Sequence, residues 1–183
     1  MTPVIRDALY RGDPIGISFG DPPGQAQVLL CGASGAASIY GADIVRVART
    51  FIGTRYRHQG RSREGVDCIG LPVCVRADLG LLALDAVGYT RASTGSEMLD
   101  YCKANMVEVS RVNLQLGDVL VQMDGTVRHM AIVADCAYGG FSIIHAWLPN
   151  RRVVECPLGD YFMQTVRGCF RFPEVAQRVM VAR

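Results

Sequence analysis

The chain has 183 residues, half of them hydrophobic and a fifth charged: enough for a buried core, and too apolar for an intrinsically disordered protein. Its 19 Lys and Arg against 17 Asp and Glu leave a formal charge of +2 without a Lys/Arg run or an RNA-type aromatic motif, which argues against nucleic acid as a partner. Seven cysteines, at positions 31, 68, 74, 102, 136, 156 and 169, form an odd set with no C-x-x-C pair, so no disulfide framework is expected and a reducing compartment fits.

Residues 1–42 carry many Gly and Pro, including Asp21-Pro22-Pro23-Gly24 and a small-residue run over 32–38, and read as an N-terminal extension with one strand at 27–31. The start, Met1 to Asp13, lacks the apolar stretch of a signal peptide and no later segment could span a bilayer; the expectation is a protein that is cytoplasmic as synthesised. At Asp43, a good N-cap, the pattern changes: Ile44, Val45, Val47, Ala48, Phe51 and Ile52 recur at helical spacing up to Gly53. A polar loop, 54–66, leads to a second apolar helix over 68–79, where Pro72 is tolerable only near the first turn, so Cys68 falls at or beside a helix N-terminus. Thr94-Gly95-Ser96-Glu97 has the form of a capping box and predicts a third helix through Met98, Leu99 and Tyr101 to Asn105.

After Gly117 the pattern turns to strands, at 118–123, 129–134, 141–147, 152–156 and 166–172, with a turn at Asp124-Gly125 between the first two. Helices first and an antiparallel sheet second define an α+β fold. The expected division is an extension (1–42), a catalytic domain (43–175) and a C-terminal tail (176–183).

A thiol reacts as thiolate, and unpaired N–H groups at a helix N-terminus lower its pKa; Cys68 alone among the seven has that predicted setting. A cysteine nucleophile also needs an imidazole within reach and a polar group to orient it, and His129 and His145, on successive predicted strands, are the candidates. The other six cysteines have no histidine at zinc-ligand spacing and read as structural, and His58 reads as a solvated loop residue. Residue types alone leave open a zinc site made of Cys68, His129 and His145.

The segment Ala48 to Leu71, ARTFIGTRYRHQGRSREGVDCIGL, resembles the helix, Tyr-containing loop and Asp-Cys-x-Gly-Leu turn of NlpC-type papain-like cysteine peptidases. Gly117-Asp118-Val119-Leu120, then His129-Met130-Ala131-Ile132-Val133 and Ile144-His145-Ala146, are similar to that family's later elements, and the resemblance spans about residues 43–172. It implies a papain-like NlpC-type fold, N-terminal helices packed on the sheet, with no cofactor and no metal. It gives Cys68 the role of nucleophile, His129 that of proton shuttle and His145 that of orienting the imidazole. It also places the hydroxyl of Tyr56 near the reacting centre and makes Asp67 a receiver of the substrate's free amine. Two departures fall near the expected cleft: Ile69 stands where many members have Ser, and His58-Gln59 where an aromatic residue and glycine are common.

The substrate class so implied is the peptide of bacterial peptidoglycan, cut at a D-glutamyl-diamino acid bond through a thioester. The lack of wall-binding repeats makes the chain similar to phage tail-associated members, with phage tail proteins as partners and a virion location. The alternative is a catalytically silent tail assembly protein that keeps the fold for docking.

Overall fold

In the computed structural model of the protein, residues 17–18, 39–82, 84–90, 96–124 and 127–175 are described. Most of the extension with its expected strand at 27–31, Thr94 and Gly95 of the expected capping box, Gly125 of the expected turn, and the tail lie outside them. In chain order the elements are β1 (Ile17–Ser18), α1 (Gly41–Arg49), β2 (Arg61–Ser62), β3 (Gly65–Val66), α2 (Gly70–Asp78), β4 (Ala86–Val87), α3 (Glu97–Asn105), β5 (Val107–Glu108) and a 3-10 turn (Arg111–Asn113). There follow β6 (Val119–Asp124), β7 (Val127–Asp135), β8 (Phe141–Trp147), β9 (Arg152–Pro157), α4 (Asp160–Thr165) and β10 (Val166–Arg171).

One six-stranded antiparallel sheet, in the order β5-β10-β6-β7-β8-β9, carries the domain. Because side chains alternate along a strand, its two faces bury different sets. Val119, Val121, Met130, Ile132, Ala134, Ile144, Ala146 and Phe170 pack on the helix side with Ile44, Val45 and Ala48 of α1 and Leu71 and Val75 of α2. Leu120, Ala131, Val133, Ile143, Val166 and Cys169 pack on the opposite side, with Phe162 and Met163 of α4. The five expected strands are present with ends shifted by no more than two residues, and the α+β order holds. The β2–β3 hairpin, β5 and α4 escape the sequence because two to six residues leave no measurable periodicity. Among the described residues no helix is long and apolar enough to cross a membrane.

Three helix starts differ from expectation. Asp43 does not cap α1; it occupies the third helical position and its Oδ2 accepts the backbone N–H of Tyr40, the actual N-cap, at 3.0 Å. The cap of α3 is Ser96. α2 begins at Gly70, two residues after Cys68, because the Asp67 carboxylate reaches forward and accepts the Gly70 N–H at 2.8 Å.

Gly117-Asp118-Val119-Leu120 is a structural joint. Gly117 takes φ +81°, and a Cβ there would lie 2.9 Å from the Cα of Gly41, so only glycine lets the start of α1 close on this turn. Asp118, 1% exposed, takes a two-pronged hydrogen bond from Arg171 (2.7 and 2.8 Å) and a third from the Gln115 N–H, locking β6 to β10. Removing one partner leaves a buried charge alone. Asp118→Ala is therefore expected to lower unfolding stability by roughly 3–5 kcal/mol, read as a fall in the urea midpoint.

Candidate active site

Cys68 sits in the turn that enters α2, with its side chain 9% exposed. Its sulfur meets the backbone N–H of Met130, the residue after His129, and the amides of Cys68 and Ile69. These donors were the basis for expecting a lowered thiol pKa, and the structure overturns that expectation. Burial, together with the adjacent Asp67 charge, outweighs the amides and pushes the thiol up to about 12. Burial thus favours the neutral S–H at Cys68.

His129 and His145 meet, as their places on successive predicted strands allowed. They lie on one face of adjacent strands because that face carries 129, 131 and 133 on β7 and 143, 145 and 147 on β8. His129 Nε2 and His145 Nδ1 are 2.7 Å apart, and both side chains are buried. Trp147 stacks on His145 at 5.1 Å and meets His129 edge-on at 5.2 Å, while Phe162 of α4 closes over both rings. This enclosure holds both imidazoles neutral: burial, and secondarily the neighbouring His145, brings His129 down to about 3, and burial brings His145 down to about 4.

The row extends one group further than the sequence suggested. Cys156 of β9, read there as structural, places its Sγ 3.5 Å from His145 Nε2. The six described cysteines are free thiols. Among the described residues no three His, Cys, Asp or Glu side chains are placed to hold a metal ion.

Asp67 is 1% exposed and its oxygens are taken by the protein itself. Oδ1 accepts from the Gly70 N–H (2.8 Å) and Arg61 (3.3 Å); Oδ2 accepts from the Gln59 N–H (2.6 Å) and the Tyr89 hydroxyl (2.5 Å). Arg61 in turn bonds Tyr89 and Asp85. Gln59 adopts φ +56°, the left-handed backbone that explains why glycine is common at this position, and is held there by Asp67 and by its own Nε2 on the Tyr89 carbonyl at 2.7 Å. His58 is partly buried against the Tyr89 ring, with Nδ1 3.6 Å from Asp67. It is a packed neighbour of the carboxylate, not a solvated loop residue. Tyr89 and Arg61 were missed because nothing in local spacing marks a partner 22 residues downstream of Asp67.

Tyr56 is half-buried, pairs with Val66 through a parallel bridge, and donates its N–H to the Arg151 carbonyl at 2.9 Å. It lines two adjoining cavities of about 480 and 690 Å³, shared with Gly53, Arg55, Arg57, Arg63, Glu64, Asn150, Arg151 and Arg152.

No family model and no curated protein matches the chain. Solved structures do. An NlpC/P60 family protein from Bacillus cereus superposes with a TM-score of 0.56 at 22% identity, over 75% of this chain and 41% of the other. The NlpC/p60 domain of the peptidoglycan hydrolase SagA gives 0.53 at 24% identity, over 73% of this chain and 100% of that domain. The peptidoglycan hydrolase RipB from Mycobacterium tuberculosis gives 0.51 at 17% identity, over 78% and 72%. The chain thus spans less than half of the Bacillus cereus protein and the whole of the SagA domain, and its fold is that of NlpC/P60 proteins.

Two buried neutral histidines have a consequence for folding. Their pKa is depressed in the native state, so the unfolded chain binds more protons between about pH 6.5 and the native values near 3 and 4. Stability is expected to be full above pH 6.5 and to fall on acidification, by up to about 1.4 kcal/mol per pH unit for each histidine. Urea titrations across this range should show the slope, and His145→Gln should reduce it.

Proposed function

We propose that the protein is a cysteine peptidase that hydrolyses peptides of the bacterial cell wall. The observation that carries this is the hydrogen-bonded pair His129–His145, with the Cys68 thiol at a helix entrance against the amide of Met130, the residue after His129. The peptidoglycan hydrolases among the structures that share the fold support the substrate class.

In this mechanism the neutral pair reacts in concert, because burial disfavours a resting thiolate–imidazolium pair. As Cys68 Sγ attacks the scissile carbonyl, its proton passes to His129 Nδ1 and an S–C bond forms. The C–N bond then breaks, the leaving amine takes the proton from His129, and a thioester remains. Water, losing its proton to His129, attacks the thioester; the acid leaves and Cys68 regains its hydrogen. His145 is a positioning residue that holds the His129 ring through Nε2. The Tyr56 hydroxyl serves the forming oxyanion.

Asp67 acts on the substrate's amine only if Tyr89 or Gln59 gives way, since all its near contacts are internal; its first role is to hold the nucleophile's helix. For the bond cut, we favour a D-glutamyl-diamino acid linkage, whose flanking carboxylates suit the basic cavities. Among the described residues no ion pair joins Arg55, Arg57, Arg151 or Arg152 to a carboxylate, so the cavities beside Tyr56 carry a net positive charge even with Glu64 in their lining. Residence in a phage tail rests on the resemblance to tail-associated members, and detection of the protein in purified virions tests it.

Mass spectrometry of products from purified wall peptides is expected to show turnover by the wild type and none by Cys68→Ala. Equal cleavage by both would remove the proposal, and no cleavage by either would favour the silent docking protein. Arg55→Ala combined with Arg152→Ala is expected to raise KM on the order of tenfold with kcat little changed, an effect that shrinks as ionic strength rises.

A further inference from the structure

We infer that Cys156 is a positioning residue that accepts a hydrogen bond from His145 Nε2 and thereby sets the tautomer of both histidines. This deepens the peptidase reading and rests on it for its catalytic consequence. The geometry is a continuous line of ring nitrogens: His129 Nε2 to His145 Nδ1 at 2.7 Å, then His145 Nε2 to Cys156 Sγ at 3.5 Å. The register builds it. Cys156 stands opposite Ile143, and Val154 opposite His145, so Cys156 is the diagonal neighbour of His145 on the same sheet face.

Each neutral imidazole carries one N–H, so a choice made at one end of the line propagates to the other. In the first arrangement His145 holds its hydrogen on Nε2 and gives it to Cys156. Its Nδ1 is then an acceptor, His129 donates from Nε2, and His129 Nδ1 is free to take a proton from a thiol. In the second arrangement His145 holds its hydrogen on Nδ1 and gives it to His129. His129 must then carry its own hydrogen on Nδ1, where it cannot act as base. The single contact at 2.7 Å is compatible with either. A group that accepts at His145 Nε2 favours the first arrangement and one that donates there the second; on our inference the Cys156 sulfur accepts.

The sulfur suits this task better than a carboxylate would. Burial and the neighbouring Glu155 keep the Cys156 thiol protonated, so it offers lone pairs without a full charge. A carboxylate there would stabilise an imidazolium on His145 and pull its proton balance upward. A neutral thiol accepts weakly and leaves the pair neutral, in keeping with the enclosure by Trp147 and Phe162.

The test compares Cys156→Val, which keeps the bulk and lacks an acceptor, with Cys156→Ser, which keeps a hydroxyl acceptor. Ring ¹⁵N NMR of the full chain reads the tautomers directly and does not depend on turnover. In the wild type, His145 is expected to be protonated on Nε2 and His129 on Nε2; in Cys156→Val, His145 should shift toward Nδ1–H. Cleavage of wall peptides should show kcat reduced on the order of tenfold in Cys156→Val with KM unchanged, and partly restored in Cys156→Ser. A wild type with His145 protonated on Nδ1, or a Val variant with wild-type tautomers, would overturn the inference. A wild type that cuts no wall peptide but shows the expected tautomers would overturn the peptidase reading and leave the hydrogen-bond assignment standing.

Discussion

The buried carboxylate of Asp67 is the constraint on which the site depends. A charge that is 1% exposed survives in a protein only if hydrogen bonds replace its hydration, and here Gly70, Gln59, Arg61 and Tyr89 supply them. Each of these bonds fixes a different piece of chain. The bond to Gly70 decides where α2 starts, and so where Cys68 stands. The bond to Gln59 holds a non-glycine residue in left-handed backbone, and those to Arg61 and Tyr89 bring in chain from 85–89. The price of burying one charge is repaid as a fixed entrance to the nucleophile's helix.

The second organising feature is the two-sided sheet. The helix side receives Cys68 through the core of α1 and α2, whereas His129 and His145 belong to the face covered by α4. The Met130 amide, one residue after His129, lies against the Cys68 sulfur where β7 passes between the layers. The thiol and both imidazoles are buried, and burial drives each toward its neutral form: the thiol up, the imidazoles down. The cavities beside Tyr56 are lined by Arg55, Arg57, Arg151 and Arg152 together with Glu64.

Much of this was legible from local pattern. The alternation of apolar residues located β6 to β10, and the 3.6-residue period located α1 and α2, because both periodicities are properties of neighbouring residues. The Asp-Cys-x-Gly-Leu turn and the two later histidines marked the candidate site, and the strand order brings the two histidines together, as their places on successive strands allowed. The roles of single polar groups were less legible. Asp43 and Ser96 changed places in their caps by a few residues, since a capping side chain can reach forward or back from several positions.

By itself, then, the sequence determined the fold class, the order of the longer helices and strands and the candidates for the site, all of which follow from contacts between residues near in the chain or from residue type. Only the tertiary structure decided the thiol's upward shift, the closure of Asp67 by Tyr89 and Arg61, and the place of Cys156 beside His145. The reason is physical: desolvation and hydrogen-bond partnership sum over groups distant in the chain, and no local period records which of them folding will bring to the same point.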